Sequence, residues 1–182
     1  VLYEVFLKGN KKNNLDYIIF NREIFYYSDL DTVLEKIKQS DYNDTILGRI
    51  AVDYLEKKDD KNSDKYFELA EKYRMKYYNY GTKITYCKIA DTVFSRGKQL
   101  IAVQYPLRSV QSLKNILKSS QYYDKIKFVS NEELFKKALK ANKYDYIFLD
   151  RFAGDFGHCT NTGNEMIAEN AGKAILDYLK DI

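Results

Sequence analysis

Apolar residues fall along this chain in two rhythms. Short unbroken runs at Tyr3–Leu7, Asp16–Phe20, Gln99–Tyr105, Ile126–Val129 and Tyr144–Leu149 have the length and the aromatic or β-branched content of strands. The runs are continuous rather than alternating, so both faces of each strand are expected to be covered, as in a parallel sheet. Between them, apolar residues recur every three or four positions. Leu47, Ile50, Ala51, Tyr54 and Leu55 mark one helical face, and Tyr66, Leu69, Ala70 and Tyr73 a second. Ile84, Cys87, Ala90 and Phe94 mark a third, and Leu134, Phe135, Ala138 and Leu139 a fourth. Ser130 and Glu133 stand ahead of that fourth helix at the spacing of a capping box. Ile167, Ala171, Ala174, Ile175 and Tyr178 define the last helix.

From residue 97 onward the order is strand, helix, strand, helix, strand, loop, helix. That alternation predicts a three-layer α/β/α domain, a doubly wound, flavodoxin-like parallel sheet with right-handed crossovers. Residues 41–80 break the alternation, since they carry only helical patterns and the charged run Lys57-Lys58-Asp59-Asp60-Lys61. They are expected to form a helical insertion over the sheet, within one domain spanning 1–182. The chain is already strand-like from Leu2 and opens at Val1 without an initiator Met, so it reads as a piece of a longer polypeptide.

Composition narrows the classes. With 45% hydrophobic and 31% charged residues, the chain has the make-up of a globular domain and not of a disordered one. Its net charge is only +4, from 30 basic and 26 acidic residues that are interleaved, which argues against a nucleic-acid footprint. No run approaches the roughly 18 apolar residues that a membrane span needs. The two cysteines, Cys87 and Cys159, form no Cys-x-x-Cys pair and read either as one disulfide or as two buried thiols.

The segment with chemical content runs from Asp150 to Asn164. It holds the only histidine and three of the eight glycines, between a predicted strand and the last helix. Open α/β sheets place their ligands at that edge. An imidazole serves as a general base when one ring nitrogen is free and the other is held in the right tautomer. Asp155, three residues before His158 on a loop eased by Gly157, is the candidate to hold it. The bland alternative is a loop histidine beside an aspartate that makes an ordinary turn bond.

The block Asp155-Phe156-Gly157-His158, followed by Thr160, Gly163 and Ala168, resembles the last conserved block of the SGNH (GDSL-type) esterase and acyltransferase superfamily. Val103-Gln104-Tyr105-Pro106-Leu107-Arg108, Asn131-Glu132 and Phe152-Ala153-Gly154 extend the resemblance to one bacterial branch, over about residues 97–180. The resemblance implies a serine esterase or acyl-transfer domain, with His158 as general base and Asp155 as its orienting acid. It implies a small ester or an O-acylated carbohydrate or lipid as substrate, and no metal or organic cofactor. The departures are specific. The superfamily nucleophile lies in a Gly-Asp-Ser turn and an oxyanion donor in a Gly-x-Asn block, and neither pattern occurs in this chain. Asn21 and Asn43-Asp44 are imperfect stand-ins, and Ser28, Ser95 and Ser109 lack a nucleophile turn. A non-catalytic SGNH-like binding or scaffold module therefore stands as the alternative. Adjacent positions in extended backbone diverge, which argues against Cys159 as nucleophile beside His158. Arg108 is a candidate contact for an anionic substrate or a member of an ordinary ion pair.

Overall fold

The computed structural model describes residues 6–7, 17–20, 23–26, 43–76 and 80–180. Strands β1 (Phe6–Leu7), β2 (Tyr17–Phe20) and β3 (Glu23–Tyr26) form an antiparallel sheet in that order. Ile19 pairs with Phe6 on one side and with Ile24 on the other. Helices α1 (Asn43–Glu56), α2 (Asp60–Lys76) and α3 (Tyr80–Ser95) follow, then β4 (Ile101–Val103), α4 (Val110–Leu117) and β5 (Lys127–Val129). Helices α5 (Glu132–Ala141), α6 (Tyr144–Ile147) and α7 (Asn161–Lys180) complete the order.

The described residues are mostly helical, and this corrects the expected fold class. The parallel sheet among them has two strands, β4 and β5, in register from Ile101–Lys127 to Val103–Val129. It is a single strand-helix-strand unit closed by α4, not a three-layer, doubly wound, flavodoxin-like sheet. The decisive difference is at Tyr144–Leu149, which its apolar run predicts as a strand. Tyr144 and Ile147 are both buried, one helical turn apart, and the Phe148 N–H returns to the Tyr144 carbonyl at 2.9 Å. A short apolar run fits a buried helical turn as well as a strand, so periodicity alone does not separate them. The runs at Tyr17–Phe20 and Phe6–Leu7 are strands, but antiparallel ones, and Glu23–Tyr26 adds a strand that carried no strong signal.

Among the described residues the buried apolar side chains form two cores. The larger is built by α1 and α2, a helical hairpin turned by Lys57–Asp59, with Phe135 and Leu139 of α5, Tyr144 and Ile147 of α6, and Leu107 packed against it. Residues 43–76 thus supply the centre of the larger core. Phe135 is completely buried and its ring lies 5.6 Å from that of Phe148. The smaller core joins Ala90 of α3, Leu113 and Leu117 of α4, and Ile126, with Ala102 and Phe128 of the parallel pair against it. Ser109 caps α4 by accepting the Gln111 N–H. The expected capping box before α5 is not made. Asn131 is the cap residue and makes no side-chain cap bond, while Ser130 Oγ accepts the Glu132 N–H at 3.3 Å.

Candidate active site

The loop that carries the candidate residues is an excursion between α6 and α7, pinched shut at its base. The Leu149 N–H donates to the His158 carbonyl at 2.7 Å, and the Thr160 N–H donates to the Ile147 carbonyl at 2.9 Å. Phe148 and Cys159 form an isolated antiparallel bridge there. This pairing sets Asp150, not Asp155, beside His158. Gly157 lets the returning strand pass: a Cβ there would sit 1.8 Å from the Asp150 carbonyl oxygen. Gly154 turns the loop tip at φ +83, where a Cβ would also strike the Thr45 carbonyl at 2.2 Å.

The imidazole is oriented by a different acid from the one expected. His158 Nδ1 lies 2.5 Å from Asp150 Oδ2, while Asp150 Oδ1 accepts the backbone N–H groups of His158 (3.0 Å) and Phe152 (3.1 Å). One carboxylate thus fixes both the ring and the backbone that carries it. Partial burial pushes the Asp150 carboxyl up, but the hydrogen bonds from the His158 ring, the His158 N–H and the Phe152 N–H outweigh it and hold the carboxyl below its usual range. The ring stands against Phe152, 5.3 Å between centroids, and its side chain is 67% exposed. With Nδ1 taken, Nε2 is the nitrogen available to a substrate or solvent proton.

Asp155 faces the other way. Its side chain is fully buried and is gripped by Arg74 Nη2 at 2.6 Å and Arg108 Nη2 at 3.2 Å. Asp44 bridges the same two guanidiniums at 3.3 and 3.5 Å, and Glu71 reaches Arg74 at 3.5 Å. Gly48 of α1 permits the approach, since a Cβ at that position would meet the Asp155 Cβ at 2.9 Å. Burial pushes the Asp155 carboxyl up despite the attraction of both arginines. Arg108, left open in the sequence as a substrate contact or an ion-pair member, is an ion-pair partner that also lines a cleft. Arg74 carried no sequence signal, and Asp150 stood at the head of the chemical segment without an assigned role. The available hint was the pairing geometry: when 149 meets 158, the residue next to 149 lies across from the histidine.

Burial also raises the Glu71 carboxyl, against the opposing pull of Arg74, 3.5 Å away, and of Arg108. A carboxyl whose folded-state value is raised contributes stability at low pH and loses it as pH climbs through that raised value. The change in melting temperature caused by Glu71→Gln should therefore be more favourable at pH 8 than at pH 5. Melts of both proteins at the two pH values check this, and an equal change at both would remove the linkage.

The remaining candidates are ordinary. Ser109 is a cap, and Ser95 Oγ donates to the Thr92 carbonyl at the end of α3. Asn43 opens α1, and Asp44 serves the arginines. Asn21 and Ser28 lie outside the described residues. Cys87 and Cys159 are free thiols, and burial raises that of Cys159.

No family model, curated protein or solved structure matches this chain. What the loop can do must be read from its own geometry. It presents an exposed imidazole with its tautomer set by a carboxylate, an arrangement suited to taking a proton from a hydroxyl and passing it on. A cavity of 430 Å³ is lined in part by Asp150, Glu56, Tyr144 and Arg151, and His158 is not part of its lining. Tyr144 Oη donates to the Asp150 carbonyl at 3.1 Å and Arg151 stacks 3.7 Å from the Tyr144 ring, so the wall behind the acid is firmly packed.

Proposed function

We propose that this protein is an ester-hydrolysing or acyl-transfer enzyme in which His158 is the general base and Asp150 the acid that orients it. The observation that carries the reading is the Asp150–His158 contact, which occupies Nδ1 of a largely exposed ring and leaves Nε2 outside that contact. In the step, a hydroxyl attacks the ester carbonyl while its proton passes to Nε2. The imidazolium, stabilised by Asp150, then returns the proton to the departing alkoxide. The resemblance of residues 155–168 to the SGNH block supports this reaction class and names a serine hydroxyl as the attacking group. Its Asp-x-x-His assignment is replaced, since Asp155 is committed to the arginines.

The test is hydrolysis of p-nitrophenyl acetate, with fluorophosphonate labelling to find the hydroxyl. Turnover that falls to the buffer rate in a folded His158→Ala protein, together with labelling of one serine, supports the enzyme. Turnover unchanged by that substitution, or absent in the unaltered protein, removes the reading and leaves a binding or scaffold module.

A further inference from the structure

A second cavity, of 510 Å³, lies between α2, α3, α4 and the turn after β4, and His158 is not part of its lining. Its size is that of a small-molecule site, since such clefts run from about 300 to 1,000 Å³. Its walls are largely apolar, with Tyr86, Leu113 and Ile116 on the helices and Tyr105 and Phe156 stacked at 5.4 Å. The charged residues lining it are Arg74 and Arg108. Asp44, Glu71 and Asp155 touch those arginines from outside the lining, and Asp155 is sealed from solvent entirely.

The guanidiniums are held by these carboxylates and are the charged groups on the cleft wall, their side chains 10% and 17% exposed. Each carries five N–H donors, and each meets three acceptors: Asp44, Glu71 and Asp155 for Arg74, and Asp44, Asp155 and the Ala153 carbonyl for Arg108. Donors remain for an incoming acceptor, and the fork of a guanidinium matches a carboxylate. Arg108 also lies 5.3 Å from the centroid of Phe156, so the charged and aromatic parts of the wall are contiguous.

We propose that this cleft binds a monocarboxylate with a hydrophobic body, its carboxylate on Arg74 and Arg108 and its apolar part between Tyr86, Ile116 and the Tyr105–Phe156 stack. The site is distinct from His158 and does not depend on the esterase reading. Specificity comes from the guanidiniums, and most of the binding energy from the apolar surface that leaves water.

Calorimetric titration of the full chain with octanoate, and with octan-1-ol as the uncharged control, tests it. Octanoate should bind one to one and at least about tenfold more tightly than the alcohol, a difference of about 1.4 kcal/mol. Arg108→Gln should erase that preference. Because Arg108→Gln also disturbs a buried ion pair, two further variants keep the arginines in place. Ile116→Trp fills the cleft and Tyr86→Ala removes part of an exposed wall, and each should weaken octanoate by about tenfold or more with the fold retained. His158→Ala should bind octanoate like the unaltered protein, so a failed activity test and a failed binding test are separable. Equal binding of acid and alcohol, no binding of octanoate, or octanoate binding unchanged in Ile116→Trp and Tyr86→Ala each overturns the proposal.

Discussion

Asp155→Ala should destabilise the protein by about 3–5 kcal/mol, the usual cost of removing one partner from a buried ion pair. The carboxylate is fully buried and is the shared counter-charge of Arg74 and Arg108, whose side chains are only 10% and 17% exposed. Without it the two guanidiniums lose the counter-charge they share, with Asp44 alone bridging them at 3.3 and 3.5 Å. The loop would loosen as well, because Asp155 Oδ1 accepts the Phe156 N–H at 3.1 Å. Burial of the carboxyl still raises its protonation range, so the intact cluster is a poor source of net stability while remaining costly to break. Urea denaturation of the two proteins measures the loss. A change below about 1 kcal/mol, within the range of an exposed pair, would refute the clamp. The same substitution distinguishes the acids, since it should act on stability and leave the His158–Asp150 contact in place.

Asp150→Asn should lower kcat/KM for ester hydrolysis by about 10²–10⁴-fold, the range carried by an oriented proton acceptor. The carboxylate does two jobs at once. Its Oδ2 holds Nδ1 in the protonated tautomer and offsets the imidazolium charge, and its Oδ1 fixes the backbone at Phe152 and His158. A carboxamide conserves the second job if its oxygen takes that position, but it then turns an NH2 toward Nδ1. The ring is driven to the tautomer with the proton on Nε2, the nitrogen that must be vacant. KM should change little, since the acid touches the ring and not the substrate. Because Asp150 is held below its usual range, its charge is retained above the lowered value and lost only as pH falls through it. His158→Ala should be at least as severe, as it removes the acceptor itself. If Asp155→Asn abolishes turnover in a folded protein while Asp150→Asn does not, Asp155 and not Asp150 is the orienting acid.

The helices were legible because their faces are long and periodic. Leu47, Ile50, Ala51 and Leu55, and Tyr66 and Ala70, are buried along one stripe each, as their spacing requires. Ile101–Val103 and Lys127–Val129 were legible as strands for a related reason: turn residues bound them and a helix separates them. Tyr144–Leu149 was not. Six residues are too few for periodicity to choose between a turn of helix and a strand, and the choice fell to Tyr144 and Ile147 reaching the same core. The sheet type followed from that choice, because without this segment no third strand extends the β4–β5 pair among the described residues.

At the candidate site the sequence by itself determined which residue could act. There is one histidine, in a glycine-bearing loop before the last helix, and any nearby carboxylate could set its tautomer. Which carboxylate does so was decided only by tertiary structure, because hydrogen bonding is a matter of distance in space. The bridge at Phe148 and Cys159 folds position 150 onto position 158, while Arg74, 81 positions from Asp155 along the chain, withdraws that nearer acid into a buried pair. Spacing along a loop limits what a side chain can reach. The charges arriving from other helices decide what it does reach.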